Sequence, residues 1–166
     1  CLGAARVGAP VLALSADLRA EAESARNREA VSQHAPRVVV FDEASRAEVT
    51  LAVAAAKASG KTPMLLDVDA LLRSEPEAQP LPRSPVDADS PLYLVYTGGT
   101  TRASKCVAVT HRMALHELGA YPEVAPLGRG DRVLHHTSAY WGATALGLLD
   151  VAWSCGACLV LRDCPG

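Results

Sequence analysis

The residues best suited to chemistry lie in one short run, Val95-Tyr96-Thr97-Gly98-Gly99-Thr100-Thr101-Arg102-Ala103-Ser104-Lys105-Cys106-Val107. Gly98 and Gly99 permit positive φ and let a ligand approach the backbone closely. Successive backbone N–H groups in such a turn form a concavity that binds anions. Thr97, Thr100 and Thr101 add hydroxyl donors, Lys105 adds a positive charge, and Arg102 stands ready to add another. Together these are the groups a polyphosphate requires, and a solvated polar turn is the plainer alternative.

The elements around this run read as strands separated by helices. Strands are expected at Val11–Leu14, Val38–Phe41, Met64–Leu66, Leu92–Tyr96, Cys106–Thr110, Val133–His136 and Ala157–Leu161, each short and rich in apolar or β-branched residues. Helices are expected at Leu18–Ala35, at Ser45–Ser59 with Glu48 in the capping-box position and Gly60 as the stop, at His111–Ala120 and at Gly142–Trp153. Strands joined by helical crossovers imply an α/β layering around a mostly parallel sheet with flanking helices. Residues 74–91 interrupt the alternation with five prolines and several serines and aspartates, and are expected to be an exposed connector.

Composition excludes several classes. The chain has 166 residues, 49% hydrophobic and 20% charged, with a net charge of −2, which suits one globular domain and no polyanionic partner such as nucleic acid. Ala139–Leu161 is long enough to span a bilayer, but Asp150 and three glycines interrupt it, so a buried helix and strand are expected instead, with no membrane partner. No secretory signal is apparent, and a cytoplasmic protein is expected. The opening Cys1 and the closing Cys164-Pro165-Gly166 are expected to be cuts through a longer polypeptide. Of the five cysteines, Cys155 and Cys158 form one close pair without the second pair of a zinc site, so small residues flanking a strand are expected and no metal site is assigned.

Two known patterns compete for the loop. A P-loop needs G-x-x-x-x-G-K-[ST] and a helix directly after the lysine; Gly99 and the Ser104-Lys105-Cys106 run lack the second glycine and the following hydroxyl, and Val107–Thr110 reads as a strand. The run more closely resembles the adenylate-forming superfamily of acyl-CoA synthetases, luciferases and nonribosomal peptide synthetase adenylation domains. Its signature is matched by Tyr96, Thr97, Gly99, Thr100, Thr101, Lys105, Val107 and His111. Leu2–Val11 resembles the upstream family segment in which a helix ends in glycine before a strand; Gly130–Leu134 and Ser154–Leu161 resemble the segments flanking the family's acceptor-pocket helix. The resemblance spans nearly the whole chain and implies that residues 1–166 form part of the large N-terminal AMP-binding domain.

By that resemblance, Thr97, Gly98, Gly99, Thr100, Thr101 and Lys105 bind the phosphates of ATP, with Mg²⁺ sharing the charge. Trp141 falls at the family's aromatic acyl-pocket position, and Gly142 falls where amino-acid-activating members carry an aspartate. A buried ammonium without a carboxylate partner is costly, so a carboxylic acid lacking that ammonium is favoured. The thiol acceptor is expected to be CoA or a carrier-protein phosphopantetheine. No catalytic residue is assigned, because the family's magnesium-binding glutamate, ribose-binding aspartate and catalytic lysine have no counterpart here, and Lys105 is not that lysine. The pattern also departs at Gly98, Arg102, Ser104 and Cys106, where the family carries serine, glycine, proline and glycine. These departures leave open a catalytically degenerate module acting as a scaffold. His135 and His136, adjacent on a strand, point to opposite faces and are expected to be structural or pocket-lining.

Overall fold

Helix α2 (Glu21–His34) shows how the alanine-rich polar stretches acquire a buried side. Ser24, Asn27, Ala30 and Val31 recur at helical spacing, all 5% exposed or less, while between them Glu29 is exposed and Arg26 and Arg28 are partly buried in ion pairs. These observations come from a computed structural model, which describes residues 2–15, 21–58, 60, 62–75, 85–97, 105–138 and 140–161. The chain divides into two units, one of residues 14–80 and the other of residues 1–13 with 81–166.

In the first unit, α2 is followed by β2 (Val38–Phe41), a 3₁₀ turn (Glu43–Ser45), α3 (Arg46–Ala58), β3 (Met64–Asp67) and α4 (Val68–Arg73). Strands β2 and β3 pair in parallel from Val38↔Met64 to Phe41↔Asp67. Val31 of α2 packs with Ala52 and Ala56 of α3 and with Leu14, and the small side chains bring the two helices close together. Asn27 satisfies its buried amide on one residue: it donates to Ser15 O at 2.9 Å and accepts from Ser15 N–H at 3.1 Å.

The start of α3 differs from expectation. The capping box runs from Asp42 to Ser45, not from Ser45 to Glu48: Ser45 N–H donates to Asp42 Oδ1 at 2.9 Å, and Asp42 N–H donates back to Ser45 Oγ at 3.2 Å. These Ser45 bonds hold the Asp42 carboxyl below its ordinary range. Glu48 instead pairs with Arg28 of α2 at 3.3 Å. Gly60 ends the helix as expected, with φ +77. Helix α4 was not anticipated. Asp67 caps it by accepting from Asp69 and Ala70 N–H, and Arg46 bridges to the same carboxylate at 2.6 Å.

The second unit contains α1 (Leu2–Arg6), β1 (Val11–Leu12), β4 (Pro91–Tyr96), β5 (Cys106–Thr110), α5 (His111–Val124) and β6 (Arg132–His135), then α6 (Gly142–Thr144), a π-helical stretch (Ala145–Leu149), α7 (Asp150–Cys155) and β7 (Cys158–Leu161). One sheet has the order β1-β4-β5; the other pairs β6 with β7. Strand β1 is parallel to β4, and β6 is parallel to β7. The β4–β5 pair is antiparallel, because the connection between Thr97 and Lys105 is too short for the crossover a parallel pair needs. The result is the α/β arrangement expected from the alternation, mainly parallel strands with flanking helices.

Local chemistry sets the remaining boundaries. The turn after α1 uses Gly8 at φ +71, against which Val86 packs 3.2 Å from where a Cβ would be. Helix α5 is capped by Thr110 Oγ1, which accepts from Met113 N–H at 3.2 Å, and it runs through Pro122 to end at Val124, a turn later than expected. The apolar stretch 139–161 holds a helix and a strand rather than one long helix. No helix among the described residues is long and apolar enough to cross a membrane.

Candidate functional site

Strands β4 and β5 bring together the two ends of the glycine- and threonine-rich run. Tyr96 pairs with Cys106, and just beyond that pair Thr97 N–H donates to Lys105 O at 2.9 Å. Lys105 N–H donates to Thr97 Oγ1 at 3.3 Å. Thr97 and Lys105 are both exposed, and the Lys105 ammonium makes no ion pair among the described residues. An unpaired cation beside two closely held strand ends suits a phosphate ligand. Gly98, Gly99, Thr100 and Thr101, with Arg102 and Ser104, lie outside the described residues.

The strand after Lys105 decides against the P-loop. That motif needs a helix there, and β5 occupies Cys106–Thr110. Cys106, where the resembling family carries glycine, is exposed at the start of β5. Beyond β5, the head of α5 is fixed to the segment before β4: His111 N–H donates to Ser90 O, Arg112 N–H to Ala88 O, and the Arg112 guanidinium grips Asp89 with bonds of 2.7 and 3.0 Å. Arg112 holds the Asp89 carboxyl below its ordinary range, and Asp89 in turn raises the guanidinium.

The acyl-pocket candidates sit on the crossover after β6. Trp141 is 48% exposed, so it is not core filler within this chain. Its ring meets Tyr140 edge-on, with centroids 5.5 Å apart. Thr137 and Thr144 hydroxyls bond at 2.6 Å across the same turn. A Cβ built on Gly142 would lie 3.3 Å from Val95 Cγ1. Gly142 therefore packs onto β4 two residues before Thr97. Val95 was not singled out from the sequence, because strand alternation gives no sign of a partner on a distant segment.

His135 ends β6 and is buried, and its Nε2 has no hydrogen-bond partner among the described residues; His136, just past the strand, is exposed. Among the described residues no three His, Cys, Asp or Glu side chains form a group that would hold a metal ion. Asp150, unassigned from sequence, lies where the π-helical stretch passes into α7. Burial pushes its carboxyl up to about 6, and the nearby charge of Glu117 adds to that, while the Val151 N–H bond opposes it.

The chain matches the family model for AMP-binding enzymes over residues 1–165 and belongs to that family. It is 38% identical over 87 residues to a probable non-canonical nonribosomal peptide synthetase, CymA, of Salinispora arenicola, covering 52% of this chain and 1% of that protein. Over 99 residues it is 31% identical to the pyochelin synthetase PchE of Pseudomonas aeruginosa, covering 60% of this chain and 7% of that one. Among solved structures, ATP-bound MatB from Rhodopseudomonas palustris superposes with a TM-score of 0.76 at 20% identity, over 98% of this chain and 31% of its own. The chain thus spans about a third of that structure and a small fraction of the curated relatives.

Proposed function

We propose that this chain is part of an ATP-dependent adenylate-forming ligase, which joins a carboxylic acid to ATP, releases pyrophosphate and leaves an acyl-adenylate for transfer to a thiol. The observation that carries the reading is the packing of Gly142 on Val95, two residues before Thr97 on β4. Thr97, Gly98, Gly99, Thr100, Thr101 and Lys105 would hold the β- and γ-phosphates and stabilise the negative charge that grows as pyrophosphate leaves. Mg²⁺, which characteristically binds through one or two carboxylates and the phosphates themselves, would neutralise part of that charge when bound. The family match and the ATP-bound structural neighbour support the nucleotide assignment.

Trp141 would wall the acyl group. Gly142 offers no carboxylate to an ammonium, which favours an aryl, fatty, hydroxy or keto acid over an α-amino acid. The acceptor would be CoA or the phosphopantetheine of a carrier protein, and the location cytoplasmic. Residues 1–166 would form part of the AMP-binding domain, with 74–91 as a connector inside it, of which residues 76–84 lie outside the described residues. Carboxylate-dependent ATP–pyrophosphate exchange by the full-length protein tests the reading, and a folded protein that exchanges with no acid would count against it.

A second reading, a catalytically degenerate module serving as a scaffold in a larger synthase, draws support from the residues at Gly98, Arg102, Ser104 and Cys106. Tight ATP binding by the intact domain would argue against it.

A further inference from the structure

The two hydrogen bonds between Thr97 and Lys105 differ in kind. Thr97 N–H to Lys105 O at 2.9 Å is a backbone bond that any residue other than proline makes at this point of an antiparallel pair. Lys105 N–H to Thr97 Oγ1 at 3.3 Å requires a side-chain hydroxyl at position 97. Alanine, valine or glycine there would leave that N–H without its partner. The backbone of Lys105, from which the cationic side chain departs, is therefore held from two sides by one residue.

We propose that Thr97 is a positioning residue for Lys105. Its hydroxyl latches the Lys105 backbone and so fixes the origin of the ammonium that faces the nucleotide. The proposal rests on the phosphate-site reading above and refines it at one position, where Thr97 serves the phosphates through Lys105 in place of a direct contact. A direct contact from Thr97 to phosphate would act alone, whereas the effect of the latch on ATP is expressed only through the Lys105 ammonium.

The test uses the full-length protein with Thr97→Val, which is nearly isosteric and lacks the hydroxyl, Thr97→Ser, which restores it, and each combined with Lys105→Ala. In acid-dependent ATP–pyrophosphate exchange, Thr97→Val is expected to raise KM for ATP roughly 5- to 10-fold, the worth of one hydrogen bond, with KM for the acid unchanged. Thr97→Ser should stay within about twofold of wild type, and Thr97→Val should add nothing in the Lys105→Ala background. Additive losses, or a serine variant as impaired as the valine one, overturn the proposal. Hydrogen exchange at the Lys105 amide gives a reading independent of turnover: it should quicken several-fold in Thr97→Val and not in Thr97→Ser, and an unchanged rate overturns the latch. A wild-type protein that exchanges with no acid, yet shows the expected amide behaviour, fails the ligase reading and leaves the latch standing.

Discussion

Val95 and Gly142 lie in contact across the end of β4, with Val95 Cγ1 3.3 Å from the position a Cβ on residue 142 would take. That distance is tighter than ordinary van der Waals contact, so any side chain at 142 must displace Val95 or shift the head of α6. Gly142→Ala is expected to lower the thermal stability of the protein by the equivalent of about 1 kcal/mol. Val95→Ala should restore part of that loss, giving a non-additive pair. Simple additivity in melting temperatures would show that the contact is slack.

Lys105 supplies a cation at the loop's return strand that makes no ion pair among the described residues. Lys105→Ala is expected to reduce kcat/KM for ATP by roughly 10- to 100-fold, the range for a charge-assisted hydrogen bond. KM for the carboxylic acid should change little. Equal losses on both substrates would place Lys105 in the scaffold rather than at the phosphates.

Asp150 gives the second unit a pH dependence of definite sign. Its carboxyl titrates at about 6 in the folded chain against an ordinary 3.8, because burial and then the neighbouring Glu117 charge disfavour ionisation. Between those two values the folded state keeps a proton that the unfolded state gives up, so this group makes stability fall as pH rises from about 4 to about 6 and adds no slope above that. Asp150→Asn should remove the fall, leaving the protein more stable by about 1–2 kcal/mol at pH 7.5 and little changed at pH 4. Chemical denaturation at the two pH values checks this, and a variant destabilised at both would contradict it.

Asp42 caps the start of the 3₁₀ turn and α3. Asp42→Ala is expected to cost about 1 kcal/mol, and Ser45→Ala should cost less when made in the Asp42→Ala background than alone, since the two side chains serve one reciprocal motif. Thermal unfolding of the four proteins in this cycle measures the coupling.

Much of this architecture was legible because it follows from periodicity. Val38–Phe41 and Cys106–Thr110 are strands with the anticipated bounds, since β-branched runs between turn residues leave few alternatives. The strand after Lys105 separated two families on local propensity alone. The sequence was less informative where partners are distant or choices degenerate. Asp42 and Ser45 both make good caps, and which one wins depends on where the turn after β2 falls. The π-helical stretch at Ala145–Leu149 has no composition signal. The raised Asp150 carboxyl comes first from its burial in the folded chain and only secondarily from Glu117, 33 positions earlier, and Val95 meets Gly142 across 47, separations at which local pattern carries no information.

The most direct measurement is ATP–pyrophosphate exchange by the full-length protein across a panel of aryl, fatty, hydroxy, keto and α-amino acids, run beside Lys105→Ala. Exchange is expected to depend on an acid lacking an α-ammonium and to fall at least tenfold in the variant. Exchange that is absent for every acid, or that proceeds equally well without Lys105, would contradict it.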